Sequence, residues 1–101
     1  MNAKLVRHIK VIEDTGNIVE IKMWQVNPRA DRPHGYKYSL VYIVNGKRAI
    51  GYDNGEGKGD YRHYENKEEP YRFKNLRSLV KDFNKDILNY KKGKGHESKK
   101  S

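Results

Sequence analysis

Lys58, Arg62, His63 and Tyr64 lie within seven positions of one another, among Gly51, Gly55, Gly57 and Gly59 and the acids Asp53 and Asp60. Cleaving RNA without a metal takes a proton acceptor for the 2′-hydroxyl, a donor for the leaving oxygen, and cations against the developing phosphorane charge. His63 suits acid or base, because a free imidazole titrates near about 6.5. Arg62 or Lys58 could face the phosphate, and Tyr64 or Tyr61 could donate a proton. Glycine loses the most freedom on folding, so four in nine positions suit a loop that admits a ligand or moves. In an extended strand Arg62 and Tyr64 would point to one side and His63 to the other, so all three meet only where the chain bends. A surface loop whose histidine merely binds a carbonyl explains the same residues equally well.

His34 lies in Asn27–Gly35, a connection with two prolines that cannot be a central strand. If the strand after it pairs with the one ending near Asp53, His34 reaches the glycine-rich loop as a second imidazole or a substrate contact. A turn histidine capping nearby backbone is the competing reading. Arg32 and Lys37 join Lys58 and Arg62 as candidate RNA-backbone contacts. His34, Asp53, Asp60 and His63 have the ligand types for a divalent ion, yet their spacing matches no known site and basic neighbours oppose a cation. No metal is expected. GEGKG lacks the spacing, the hydroxyl and the following helix of a phosphate-binding loop, so no nucleotide cofactor is expected either.

The elements that must position these residues are short. Leu5–Ile12 and Ile18–Val26 are rich in β-branched residues and flank Glu13-Asp14-Thr15-Gly16-Asn17, which supplies turn residues for a hairpin. Tyr36–Val44 and Lys47–Asp53 flank Asn45-Gly46, the pair that best accepts the positive φ of a type I′ turn. Leu76, Leu79, Val80, Phe83, Ile87 and Leu88 follow helical spacing, with Asn75 as N-cap and Gly93 as stop. This predicts an α+β fold: a small antiparallel sheet of about four strands in two hairpins, with a C-terminal helix on one face. Tyr36, Tyr38 and Tyr42 share a strand face. With Tyr52 and Trp24 they could stack bases, but large rings more often fill a core, and packing beneath the helix is the favoured reading.

At 101 residues the chain makes one small domain, read as 1–92, followed by a disordered basic tail at 93–101. From Lys91 onward five lysines face one glutamate, a net +4 of the chain's +9. That sign attracts phosphate backbones and acidic proteins and says nothing about the fold. With no cysteine, disulfides and thiolate metal sites are excluded and a reducing cytoplasm is the expected home. The first residues lack the apolar core of a signal peptide, and no apolar run approaches the roughly 20 residues of a membrane helix.

Pro33-His34-Gly35-Tyr36-Lys37-Tyr38-Ser39-Leu40, Gly51-Tyr52-Asp53-Asn54, Gly57-Lys58-Gly59-Asp60-Tyr61-Arg62-His63-Tyr64 and Glu68-Glu69-Pro70-Tyr71-Arg72-Phe73 together resemble the TumE-type toxin family of prokaryotic toxin–antitoxin modules. The resemblance covers roughly Leu5–Phe83. It implies a growth-inhibiting toxin encoded beside a cognate antitoxin with a DNA-binding helix-turn-helix. Combined with the charge and the loop, it leads to the expectation of a small metal-independent ribonuclease, with His63, Arg62, Lys58, Tyr64 and His34 at the site. A non-catalytic inhibitor that binds RNA or protein, and a nucleotide-dependent transferase, stay open as alternatives.

Overall fold

The computed structural model describes residues 3–55 and 57–100, the last seven of them by backbone alone. Strands β1 (Lys4–Ile12) and β2 (Ile18–Gln25) form the first hairpin, with Gly16 at φ 91° in its turn. β3 (Tyr36–Val44) and β4 (Lys47–Asp53) form the second, turning through Asn45 at φ 54° and Gly46 at φ 76° as a type I′ turn requires. Two further strands follow, β5 (Tyr61–Tyr64) and β6 (Lys67–Pro70), so the sheet has six antiparallel strands in sequence order rather than about four. The stretch Gly51–Tyr64 is therefore not one connection: its ends belong to β4 and β5, and of the residues between them the described ones, 54–55 and 57–60, lie outside any strand. The third hairpin escapes the sequence because each strand is four residues long and β6 is polar, fully exposed and without alternation. Its two-residue turn works because Glu65 accepts φ 55°.

Helix α1 (Leu76–Lys100) crosses one face of the sheet. Asn75 caps it: the Asn75 Oδ1 accepts the Ser78 N–H at 2.8 Å, worth about 1 kcal/mol. Leu79, Phe83 and Ile87 are buried against Ile21, Leu40 and Ile50. Leu88 is 66 % exposed, because its position turns it off the stripe, while Asp86 is buried instead. The helix continues past Gly93, the expected stop, to Lys100, while the side chains at 94–100 and residue 101 of the expected tail lie outside the described residues. Tyr38, Tyr42 and Tyr52 pack beneath the helix, and of the five rings considered for base stacking only Trp24 belongs to the opposite face, where the Lys37 Nζ sits 5.7 Å from its ring centre.

Asn54 joins the loop to the sheet. It is fully buried; its Oδ1 accepts the Tyr38 N–H at 3.0 Å and its Nδ2 donates to the Tyr36 carbonyl at 2.7 Å. Asn54→Ala leaves both backbone groups without that partner and is expected to cost roughly 2–4 kcal/mol. Urea unfolding measures this, and a loss under about 0.5 kcal/mol, ordinary for a surface change, would contradict it.

Candidate functional site

β5 is a regular strand, so its side chains alternate, and the residues expected to act together are divided between the two faces of the sheet. Arg62 and Tyr64 face the helix. His63 faces the open side.

On the helix side, the Arg62 guanidinium grips Asp86 with both prongs, Nε to Oδ2 at 2.7 Å and Nη2 to Oδ1 at 2.9 Å. Its Nη1 reaches the Glu69 Oε2 at 2.7 Å, and its Nε lies 3.1 Å from the Tyr52 hydroxyl, which itself donates to the Asp86 Oδ2 at 2.6 Å. The hydrogen bonds to Asp86 hold the Arg62 pKa above even its high ordinary value, while burial and then Asp86 push the Tyr52 phenol up. Both keep one charge state at any working pH. Burial also raises the Tyr64 phenol, whose ring lies 5.2 Å beneath the guanidinium. With three of its five N–H donors engaged by Asp86 and Glu69, Arg62 fastens the sheet to the helix.

His34 belongs to a second network at the loop end of β3. Its Nδ1 accepts the Tyr36 N–H at 3.1 Å, which leaves the proton on Nε2 to be donated to the Asp60 Oδ2 at 2.9 Å. Tyr38 donates to the same Asp60 oxygen at 2.5 Å, and Phe73 packs against the imidazole at 4.0 Å between ring centres, tilted by 33°. Both ring nitrogens are engaged, so this histidine orders the loop in the manner of a capping residue. Asp31 adds another tie: the Gly57 N–H donates to its Oδ2 at 2.8 Å, and that bond holds the carboxyl below its ordinary pKa. Gly57 and Gly59 adopt φ 77° and 79°, where a side chain would be strained. Gly55 opens this turn, its carbonyl accepting the Lys58 N–H at 3.3 Å. Arg32 is only 4 % exposed, and its Nε and Nη1 have no hydrogen-bond partner among the described residues. Lys37, by contrast, is exposed on the open face.

The open face carries a different arrangement. The His63 Nε2 stands 3.6 Å from the Asp53 Oδ2 and 3.7 Å from the Glu68 Oε2, at ion-pair range but beyond a hydrogen bond. Beyond Asp53 lies the Arg48 guanidinium at 3.8 Å, and beyond Glu68 the Lys58 ammonium at 3.5 Å, itself 5.3 Å from the Tyr61 ring centre. The row of side chains reads Arg48, Asp53, His63, Glu68, Lys58. The His63 side chain is 12 % exposed, whereas Glu68 and Lys58 are open to solvent. Register builds this row: β4 places Gly51 opposite His63, and β6 places Glu68 there.

Gly51 is the floor. A Cβ there would stand 2.9 Å from the Arg48 Cδ, so the arginine lies across the strand only because no side chain rises beneath it. Gly51→Ala is expected to leave the melting temperature nearly unchanged while displacing Arg48, with up to about a tenfold fall in activity. Thermal melts beside an activity titration check this, and unaltered activity would separate Arg48 from function.

Of the sequence candidates, the structure thus brings His63, Asp53 and Lys58 together, pairs His34 with Asp60, and turns Arg62 and Tyr64 inward. The four residues considered for a divalent ion fall into two separate pairs, His63 with Asp53 and His34 with Asp60. Among the described residues no group of three or more metal-ligating side chains is placed to hold an ion. Arg48 precedes the glycine-rich stretch and Glu68 lies in a strand whose residues are all polar or proline, so the sequence assigns neither a role. A two-residue turn at Glu65-Asn66 between polar segments is the signal that could have found it.

A family model described as toxin TumE matches residues 2–91. The chain belongs to the TumE toxin family. Membership makes it the toxin of a toxin–antitoxin system and implies a cognate antitoxin as partner. No curated protein and no solved structure gives a significant match. Among the described residues of this TumE-family toxin, no helix is long and apolar enough to cross a membrane.

Proposed function

We propose that this toxin stops growth in the cytoplasm by cutting RNA without a metal, at the open-face cluster around His63. The observation that carries the reading is the placing of that imidazole between two carboxylates, each backed by a cation. Glu68, the more exposed carboxylate, accepts the proton of the 2′-hydroxyl as that oxygen attacks phosphorus. His63 delivers a proton to the 5′ oxygen as its bond to phosphorus breaks, and the products are a 2′,3′-cyclic phosphate and a 5′-hydroxyl. Arg48 and Lys58 face the charge that builds on the phosphoryl oxygens. Lys37 and Trp24, further along the same face, offer a cation and a ring to the strand on either side. The antitoxin in this reading is a DNA-binding protein with a helix-turn-helix.

The test is to incubate purified wild-type protein and His63→Ala with total cellular RNA in EDTA and to sequence the new 5′ ends. Discrete ends from the wild type alone are expected. RNA bound but uncut by both proteins, with binding falling steeply as salt rises, would replace cleavage by simple RNA binding. Transfer of a labelled nucleotide to tRNA or protein would replace it by group transfer.

A further inference from the structure

The two edges of the sheet are built differently. β6 is four residues long, fully exposed, charged and closed by Pro70, which makes it a poor template for further pairing. β1 is nine residues long and occupies the other edge. Of the five large hydrophobic side chains exposed among the described residues, β1 holds four: Leu5, Val6, Val11 and Ile12. One exposed leucine is ordinary, but here Leu5 and Ile12 pair across to Trp24 and Ile18 on the open face and Val11 to Val19 on the helix face, so the edge leaves apolar side chains uncovered at both ends and on both faces. Beside them, between β1 and the start of α1, runs a groove of about 410 Å³ lined by Val6, Ile9, Met23 and Leu76 together with Arg7 and Arg77.

Charge decides what fits there. β1 carries Lys4, Arg7, His8 and Lys10 and no acid, with His8 bonded to Glu20 of β2 at 2.8 Å, and the facing turn of the helix adds Arg77. Arg7 and Arg77 make no ion pair with any described residue. A second copy pairing through the same edge would set these cations against one another, which destabilises a strand pair. The bulge between Leu5 and Arg7 further discourages a flat, self-complementary edge. An acidic strand meets neither obstacle.

The geometry points to β1 as the docking edge for an acidic, strand-forming segment of the cognate antitoxin. The segment adds a seventh strand of about six residues, with apolar side chains and an Asp or Glu on its helix side and Asp or Glu on its open side. Its apolar side chains fill the groove, and its carboxylates meet Arg7 and Arg77 on the helix side and Lys10 on the open side. Docking here lies at the opposite edge of the sheet from the His63 cluster, so it does not depend on the chemistry of that cluster.

The experiment titrates the full-length toxin with its purified antitoxin and follows amide hydrogen exchange. Slowed exchange concentrated in β1 is expected on complex formation. Arg7→Glu/Lys10→Glu is expected to weaken binding at least about tenfold while its melting temperature stays near wild type. Lys67→Glu on the opposite edge serves as the control and should bind normally. Protection centred on residues 54–64 with β1 unchanged would overturn the assignment. So would a free toxin that sediments as a dimer with β1 already protected, because the occupant would then be a second copy.

Discussion

Arg62→Met is expected to cost about 3 kcal/mol of stability, the low end for breaking a buried pair, because the arginine side chain keeps 26 % exposure while Asp86 keeps 9 %. Removing the cation leaves the Asp86 carboxylate, on the sheet-facing side of the helix, with only the Tyr52 hydroxyl to face it among the described residues. For a domain of this size the melting temperature should fall by about 15 °C. The double variant Arg62→Met/Asp86→Asn removes both charges and keeps an acceptor for Tyr52, so it should recover at least half of the loss. Denaturant unfolding of the three proteins decides the matter. A single variant within about 1 kcal/mol of wild type, with no gain in the double variant, would mean the network does not fasten the helix.

His63→Ala carries the largest expected effect on activity. Removing a positioned proton carrier costs about 10²–10⁴-fold in rate, and here the change also leaves Asp53 and Glu68 without the group between them. Their outer partners Arg48 and Lys58 remain, so the fold should survive and stability should change by about 1 kcal/mol or less. Cleavage rates on an RNA oligonucleotide, measured beside a thermal melt, separate the two effects. A variant that melts with the wild type yet cleaves within about threefold of it would remove His63 from the chemistry.

Much of the frame was legible from sequence because the signals were local. Asn45-Gly46 between apolar runs fixed the second hairpin, and Asn75 ahead of Leu76, Leu79, Val80 and Phe83 fixed the start of the helix. What was not legible depended on pairing. His63 has no stated partner in the sequence until β6 sets Glu68 beside it, and β6 has no apolar residue to announce itself. Arg62 drew attention as a cation next to that histidine, yet the pleat of β5 turns it toward Asp86, 24 residues away. The tyrosines were legible only as a set, because their face alternates correctly with either solvent or a helix above it; the buried Leu79 and Phe83 decide for the helix.

The claim at the centre is that the open face performs the chemistry and the helix side only holds the fold. Growth arrest, normalised to the amount of folded toxin in the cell, tests it with His63→Ala beside Arg62→Met/Asp86→Asn. The account predicts that the first variant is harmless and that the second stops growth like the wild type. Arrest by His63→Ala, with the Arg62 double variant folded and harmless, would contradict it and move the site to the other face of the sheet.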